Sequence, residues 1–236
     1  MIRRSYWHKV PSAPVLAALP LMTWQRTANK SAASETAALM LYVALIFMAE
    51  MDADEFGLVR QLSAASYDDL ELATGLSRKL VSDGLKRLID LKLIAPQGSH
   101  QKRRYVIAWP KTGWFKLPCQ AIVSGEVILP FKNFTLRSKH ELHAMKLYLY
   151  LAACRDNAKA YSMASYETIT ERIGIPERYI RKAISLLIGT GLLRSVDREH
   201  NHGDHAHGPN KYFFTGSERL FGFTAATAEP GVPVAA

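Results

Sequence analysis

Apolar positions at Leu80, Val81, Gly84, Leu85, Leu88 and Ile89 fall on one face of a 3.6-residue helix. Arg78, Lys79, Ser82, Asp83, Lys86 and Arg87 occupy the opposite face. A shorter helix is predicted ahead of it, from Ser66, which can cap free N–H groups, to about Gly75. Glycine at that point allows the left-handed backbone of a tight turn, and Ser77 is placed to cap the second helix. The pattern then recurs without a gap. Leu70 to Ile94 is matched, ninety-nine residues on, by Ile169 to Leu193. Gly75 corresponds to Gly174, and Leu80, Val81, Gly84, Leu85, Leu88 and Ile89 to Tyr179, Ile180, Ala183, Ile184, Leu187 and Ile188. Glu177, Arg178, Arg181, Lys182 and Ser185 face outward in the second copy.

Each second helix runs towards a predicted hairpin. Leu91–Ile94 leads through the polar stretch 97–104 to a strand at Tyr105–Ala108. Leu192–Leu193 leads through a longer loop to Tyr212–Phe214. A short helix, a glycine turn, an amphipathic helix with a basic face and a hairpin make a helix-turn-helix with a wing. At these residues the chain resembles the winged helix-turn-helix domains of bacterial DNA-binding proteins, and most of all those of phage and plasmid replication initiators. The likeness spans roughly residues 15–108 and 122–216. It implies a mainly α fold with small β-hairpin wings (α+β), as two tandem winged-helix domains.

The flanking segments repeat too. Leu19-Pro20 precedes Trp24, and Leu129-Pro130 precedes Phe134, as extended lead-ins that set an aromatic beneath each first helix. Leu41-Tyr42-Val43 aligns with Leu147-Tyr148-Leu149 in those helices, and Ser138 with Glu141 forms a capping box. Residues 51–57, with Asp52, Asp54 and Glu55, read as a solvated acidic loop facing away from DNA; cation binding is the lesser reading. Residues 1–14 read as a mobile basic arm that is frayed or, less simply, tracks phosphates. Residues 109–121 read as a linker, broken by Pro110, Gly113 and Pro118, that docks through Trp114 and Phe115; base stacking by Trp114 is the second reading. Ile122–Leu129 adds a strand, and the tail at 217–236 is expected to be disordered.

Composition narrows the class. The chain has 236 residues, 48% of them hydrophobic, enough for two cores. The net charge of +9 is shared between both halves and favours an anionic partner without naming it. Cys119 and Cys154 have no metal-type spacing and read as reduced thiols, with Cys154 turned to the core. Pro14 and Pro20 interrupt the only signal-like run. The apolar stretch Ala37–Ala49 is too short to span a bilayer, so a buried helix and a cytoplasmic protein are expected.

The expected DNA contacts follow from side-chain chemistry. Ser77, Arg78, Lys79, Ser82 and Lys86 stand on the first reader, and Arg178, Tyr179, Arg181 and Lys182 on the second. Arginine pairs with guanine, serine donates or accepts, and lysine meets phosphate. Lys102, Arg103, Arg104 and Lys211 lie in or beside the wings, positioned for the backbone. Unlike faces imply unlike sequences read. The competing account of every such residue is a solvated surface charge, in winged helices used for protein contact.

The loop at 194–211 holds His200, His202, His205 and His207. Alternating imidazoles can bind zinc or nickel, but flanking glycines leave the spacing unfixed, so a solvated wing tip is the plainer reading. No phosphate-cradling loop, nucleophile elbow or paired-carboxylate motif is present, and Gly189-Thr190-Gly191 ends a helix. The expectation is a binding protein, neither an enzyme nor a cofactor carrier. Its partners would be double-stranded DNA, a second copy or the replication or transcription machinery, and no membrane.

Overall fold

A computed structural model describes residues 1–26, 31–53, 59–98, 104–108, 113–156, 159–197 and 209–219. The chain opens with β1 (Trp7–Pro11) and α1 (Ser12–Ala18), then a 3-10 turn at Leu19–Leu21. The first copy continues through α2 (Ala33–Met48), the hairpin β2 (Ala49–Ala53) and β3 (Val59–Ser63), α3 (Tyr67–Thr74), α4 (Arg78–Asp90), β4 (Ile94–Gln97) and β5 (Arg104–Ile107). After β6 (Trp114–Pro118), β7 (Val123–Ser124) and β8 (Val127–Ile128), a 3-10 turn at Leu129–Asn133 opens the second. There follow α5 (Lys139–Cys154), β9 (Ser162–Ala164), α6 (Tyr166–Ile173), α7 (Glu177–Thr190), β10 (Leu193–Asp197) and β11 (Asn210–Phe214). This is a mixed α+β winged-helix fold.

The two first helices have 16 residues each, and every residue of α2 is buried. An all-round apolar helix is stable only when packed on every side. Here α4 and α3 cover α2 together with β1, β3 and α5, while α5 carries α7, α6, β9 and β6. Contacts between the copies are reciprocal. β8, in the second lead-in, packs on α3, and the 3-10 turn of the first lead-in packs on α6. The buried side chains of both copies therefore form one continuous core.

The antiparallel sheets run in the order β2-β3-β5-β4 and β10-β11-β9. Each wing pairs its two strands in a simple ladder, Ile94 opposite Ile107 and Leu193 opposite Phe214, with an irregularity between Leu193 and Ser195. The sequence pattern did not reveal the β2–β3 hairpin: where a solvated acidic loop was expected over residues 51–57, Ala49 pairs with Ser63 and Asp52 with Arg60. Asp54 and Glu55 lie outside the described residues.

The terminal arm and the linker need correcting. Residues 7–11 form a strand paired antiparallel with 114–118, Trp7 opposite Pro118 and Lys9 opposite Lys116. Both strands alternate, burying His8, Val10, Phe115 and Leu117. Their prolines fall at strand ends, where a missing N–H is tolerated. Residues 122–129 form a small hairpin turning at Gly125, whose φ is +61°. Cys154 is exposed, not turned to the core, whereas Cys119 is buried, and both are free thiols. Ser217–Arg219 form a 3-10 turn with Ser217 buried, so the tail is ordered at its start; residues 220–236 lie outside the described residues. No helix among the described residues is long and apolar enough to cross a membrane.

Candidate nucleic-acid interface

The turn geometry is the same in both copies. Ser66 and Asp69 cap α3 reciprocally, and Ser165 accepts from the Thr168 N–H at the start of α6. Gly75 and Gly174 close these helices at φ +72° and +65°, in the left-handed region that a side chain would strain. The second helices then begin at Arg78 and Glu177. Ser77 is the N-cap residue, but its hydroxyl makes no capping bond among the described residues and stays exposed.

On α4, Val81, Gly84, Leu85 and Leu88 are buried, and Ser77, Arg78, Lys79 and Lys86 are exposed around a half-buried Ser82. Ser82 and Lys86 line a cleft of about 350 Å³ with Tyr67, Pro96 and Tyr105, between the helix and its wing. Arg78 departs from the expected role of an open reader. Its guanidinium meets Asp68 at 2.6 Å and Glu71 at 3.3 Å, both on α3, and lies over the Tyr67 ring. The hydrogen bond that it donates to Asp68 raises its pKa above the ordinary arginine value. Arg87, on the polar face in the sequence pattern, is drawn inward to Glu35 on α2 at 3.0 Å and donates to the Leu21 carbonyl. Ile89 and its counterpart Ile188 are partly exposed, because they lie at the edge of the apolar stripe.

α7 presents the more open basic face. Ile180, Ala183, Ile184 and Leu187 are buried, while Glu177, Arg178, Arg181, Lys182 and Ser185 are exposed. Arg178 and Arg181 line a cleft of about 640 Å³ with Tyr166, Pro176 and Glu177. Among the described residues, neither Arg181 nor Lys182 forms an ion pair. Tyr179, expected to face DNA, is instead half-buried against the start of α5. Lys139 donates to its hydroxyl at 2.8 Å, and the His140 and His143 rings lie 5.4 and 5.6 Å away. The helical period explains this, since Tyr179 occupies the inward position of Leu80. Lys139 lowers the Tyr179 pKa through that hydrogen bond. Burial, then the charges of Lys146, His140 and Lys139, pull His143 down to about 4.

The wings contribute less that is described. Arg104 is exposed opposite Gln97 at the far end of its ladder, and Lys211 is half-buried opposite Asp197, with its ammonium over the Tyr161 ring. Lys102, Arg103 and the four loop histidines lie outside the described residues. Among those described, no three His, Cys, Asp or Glu side chains gather as a metal site needs. Lys139 and Arg194 were missed in the sequence. Lys139 reaches α7 only through the packing of α5, and Arg194, at the wing irregularity, lies over Phe213 and 3.8 Å from Glu218. A basic residue beside Ser138, a helix cap, was the one signal for Lys139.

A family model for a helix-turn-helix domain matches residues 142–193, from the first turn of α5 through α7 to the start of β10. No curated protein and no solved structure matches the chain.

Proposed function

We propose that this protein binds specific duplex DNA, with α7 and α4 each laid in a major groove and the wings on the backbone. The observation that carries the reading is the exposed face of α7: Arg178, Arg181 and Lys182 stand together, the last two unpaired by carboxylates among the described residues, in the stretch matched by the helix-turn-helix family. The α4 face, with Lys79, Ser82 and Lys86, is chemically different, so the two readers prefer different sequences. Reciprocal packing of the lead-ins on α3 and α6 supports two readers working as a unit, which makes the second docking intramolecular. One chain with two unlike readers suits a replication initiator acting on repeated elements of plasmid or phage type.

Selection from random and genomic duplex fragments at about 150 mM salt, where weak phosphate contacts fade, tests this. Directly repeated, clustered sites support the initiator. A palindrome near a promoter replaces it with a dimeric transcriptional regulator, and no enrichment replaces DNA binding with a protein-adaptor role.

A further inference from the structure

The ribbon of β1 and β6 carries chemistry that neither helix-turn-helix unit uses. Its inner face packs on α2 and α5. Its outer face presents Trp7, Lys9, Trp114 and Lys116. The two indoles stack with centroids 5.9 Å apart and planes 9° from parallel. Lys9 lies 4.7 Å over Trp114, and Lys116 lies 4.7 Å over Trp7. Lys9 and Lys116 are also direct cross-strand partners, and each ammonium lies over an indole of the opposite strand. Arg155 adds to the cationic surroundings of Lys116.

Beside the ribbon, the N-terminal residues and the β2–β3 hairpin enclose a cleft of about 710 Å³. Arg3, Arg4, Trp7, Lys9, Glu50 and Gln61 are among its lining. Glu50 is engaged by Arg3 at 3.4 Å. Gln61 is 3% exposed, and its amide nitrogen donates to the Lys9 carbonyl at 3.2 Å. That bond fixes the amide's orientation and leaves the buried Oε1 without a partner. A buried acceptor without a donor is costly, and turning towards the cleft would let it accept a ligand N–H. Every nucleobase carries an N–H, whereas an ionised phosphate has none.

We infer that this ribbon and cleft bind single-stranded DNA, with phosphates at Lys9, Lys116 and Arg4, bases against Trp7 and Trp114, and a base N–H on Gln61. Indole platforms flanked by ammonium groups serve single strands because every base has a π face. The Gln61 acceptor does not select among the four bases, so little sequence preference is expected. None of these residues belongs to α4, α7 or a wing, so the inference stands apart from the duplex reading.

The test is the anisotropy of a labelled oligothymidylate of about 15 nucleotides, titrated with the full chain at about 50 mM salt. Lys9→Ala with Lys116→Ala is expected to weaken binding at least ~10-fold and to shallow the log–log salt slope by about 1.4, the release from two phosphates of a single strand. The same variant keeps its affinity for the selected duplex, whereas Arg181→Ala with Lys182→Ala weakens duplex binding and keeps the oligonucleotide. Trp114→Phe, which retains an aromatic packing surface, is expected to reduce the quenching of indole fluorescence by the oligonucleotide. Absence of binding by the wild-type chain overturns the inference. So does binding that the double lysine variant leaves intact.

Discussion

The Lys146 ammonium, on α5 of the second copy, donates to the main-chain carbonyl of Met22, in the lead-in of the first, at 3.0 Å. It is 2% exposed and feels the charge of Glu35 on α2, which is itself paired with Arg87 on α4. A buried polar chain thus runs from one copy to the other. Glu35 occupies the position of Glu141, which accepts from the N–H groups of Arg137 and Ser138 in a capping box. The N-cap of α2 is Ala32, with no capping side chain, so Glu35 is available to Arg87. Divergence at a cap has become a link between helices.

Lys146 should leave a mark on the pH dependence of stability. Burial pushes its pKa down to about 8 from the usual 10.5. Between those values the unfolded chain holds the proton more tightly than the folded one, so stability from this group rises as pH increases. Lys146→Met removes that rise. Urea unfolding of both proteins at pH 7.5 and 9.5 (about two pH units spanning the folded pKa) should show the wild type gaining relative to the variant at the higher value. The difference between the proteins is the readout, because buried tyrosines such as Tyr42 and Tyr148, held protonated by burial, oppose it in both. Parallel behaviour would show that Lys146 titrates as an ordinary lysine in the folded protein.

The two readers should not contribute equally to DNA binding. Arg181→Ala with Lys182→Ala removes two cations without carboxylate partners among the described residues and should weaken binding to a selected site by roughly 10- to 100-fold. Arg78→Ala should cost less than ~3-fold, because its guanidinium is already engaged by Asp68 and Glu71 and must leave both carboxylates to reach DNA. Titration of one duplex with both variants decides it. A greater loss with Arg78→Ala would make α4 the principal reader.

Legibility in the sequence followed periodicity. The helices α3, α4, α6 and α7 and the wings could be read because spacings of three and four recur at a fixed offset, with Gly75 and Gly174 marking the turns. α2 was legible as buried because Ala37–Ala49 carries no charge. The β1–β6 ribbon was hidden by distance: Trp7 and Trp114 alternate with buried neighbours in segments of five residues, each bounded by a proline that reads locally as a breaker. The interface was only partly legible, since an outward position says nothing of what reaches it. Asp68 reaches Arg78 from α3, and Lys139 reaches Tyr179 from α5.

Gly84 sets the approach of α4 to α2. A Cβ there would stand 2.6 Å from Leu41 Cδ1, 3.1 Å from the Ala38 nitrogen and 3.2 Å from the Ala37 carbonyl carbon. The side chain can swing aside, but the backbone of a buried helix cannot readily do so. Gly84→Ala gains about 1 kcal/mol of helix propensity but incurs overpacking of about 1–3 kcal/mol, leaving a net loss of up to ~2 kcal/mol. Ala183 holds the same position in the second copy, and Ala183→Gly should also destabilise, by about 1 kcal/mol from propensity alone. Chemical denaturation of both variants measures this, and a Gly84→Ala protein more stable than wild type would show that the crossing has room.

His143 should sensitise the fold to acid. Its imidazole faces Tyr179 from α5, with Lys139, His140 and Lys146 on the same helix, and its pKa lies near 4 against an ordinary 6.5. The unfolded chain therefore binds a proton through pH 6.5 to 4 that the folded chain resists, so this group's contribution to stability falls as pH drops across that window. His143→Phe fills similar space with a ring that does not titrate. The variant should lose less stability than wild type between pH 7 and 4.5, followed by thermal unfolding at about equal ionic strength. His140, also lowered by burial and by Lys139 and Lys182, keeps a smaller dependence in the variant. If the variant and wild type lose stability in parallel, His143 titrates normally in the folded protein, and the packing of Tyr179 against it is looser than the 5.6 Å ring separation implies.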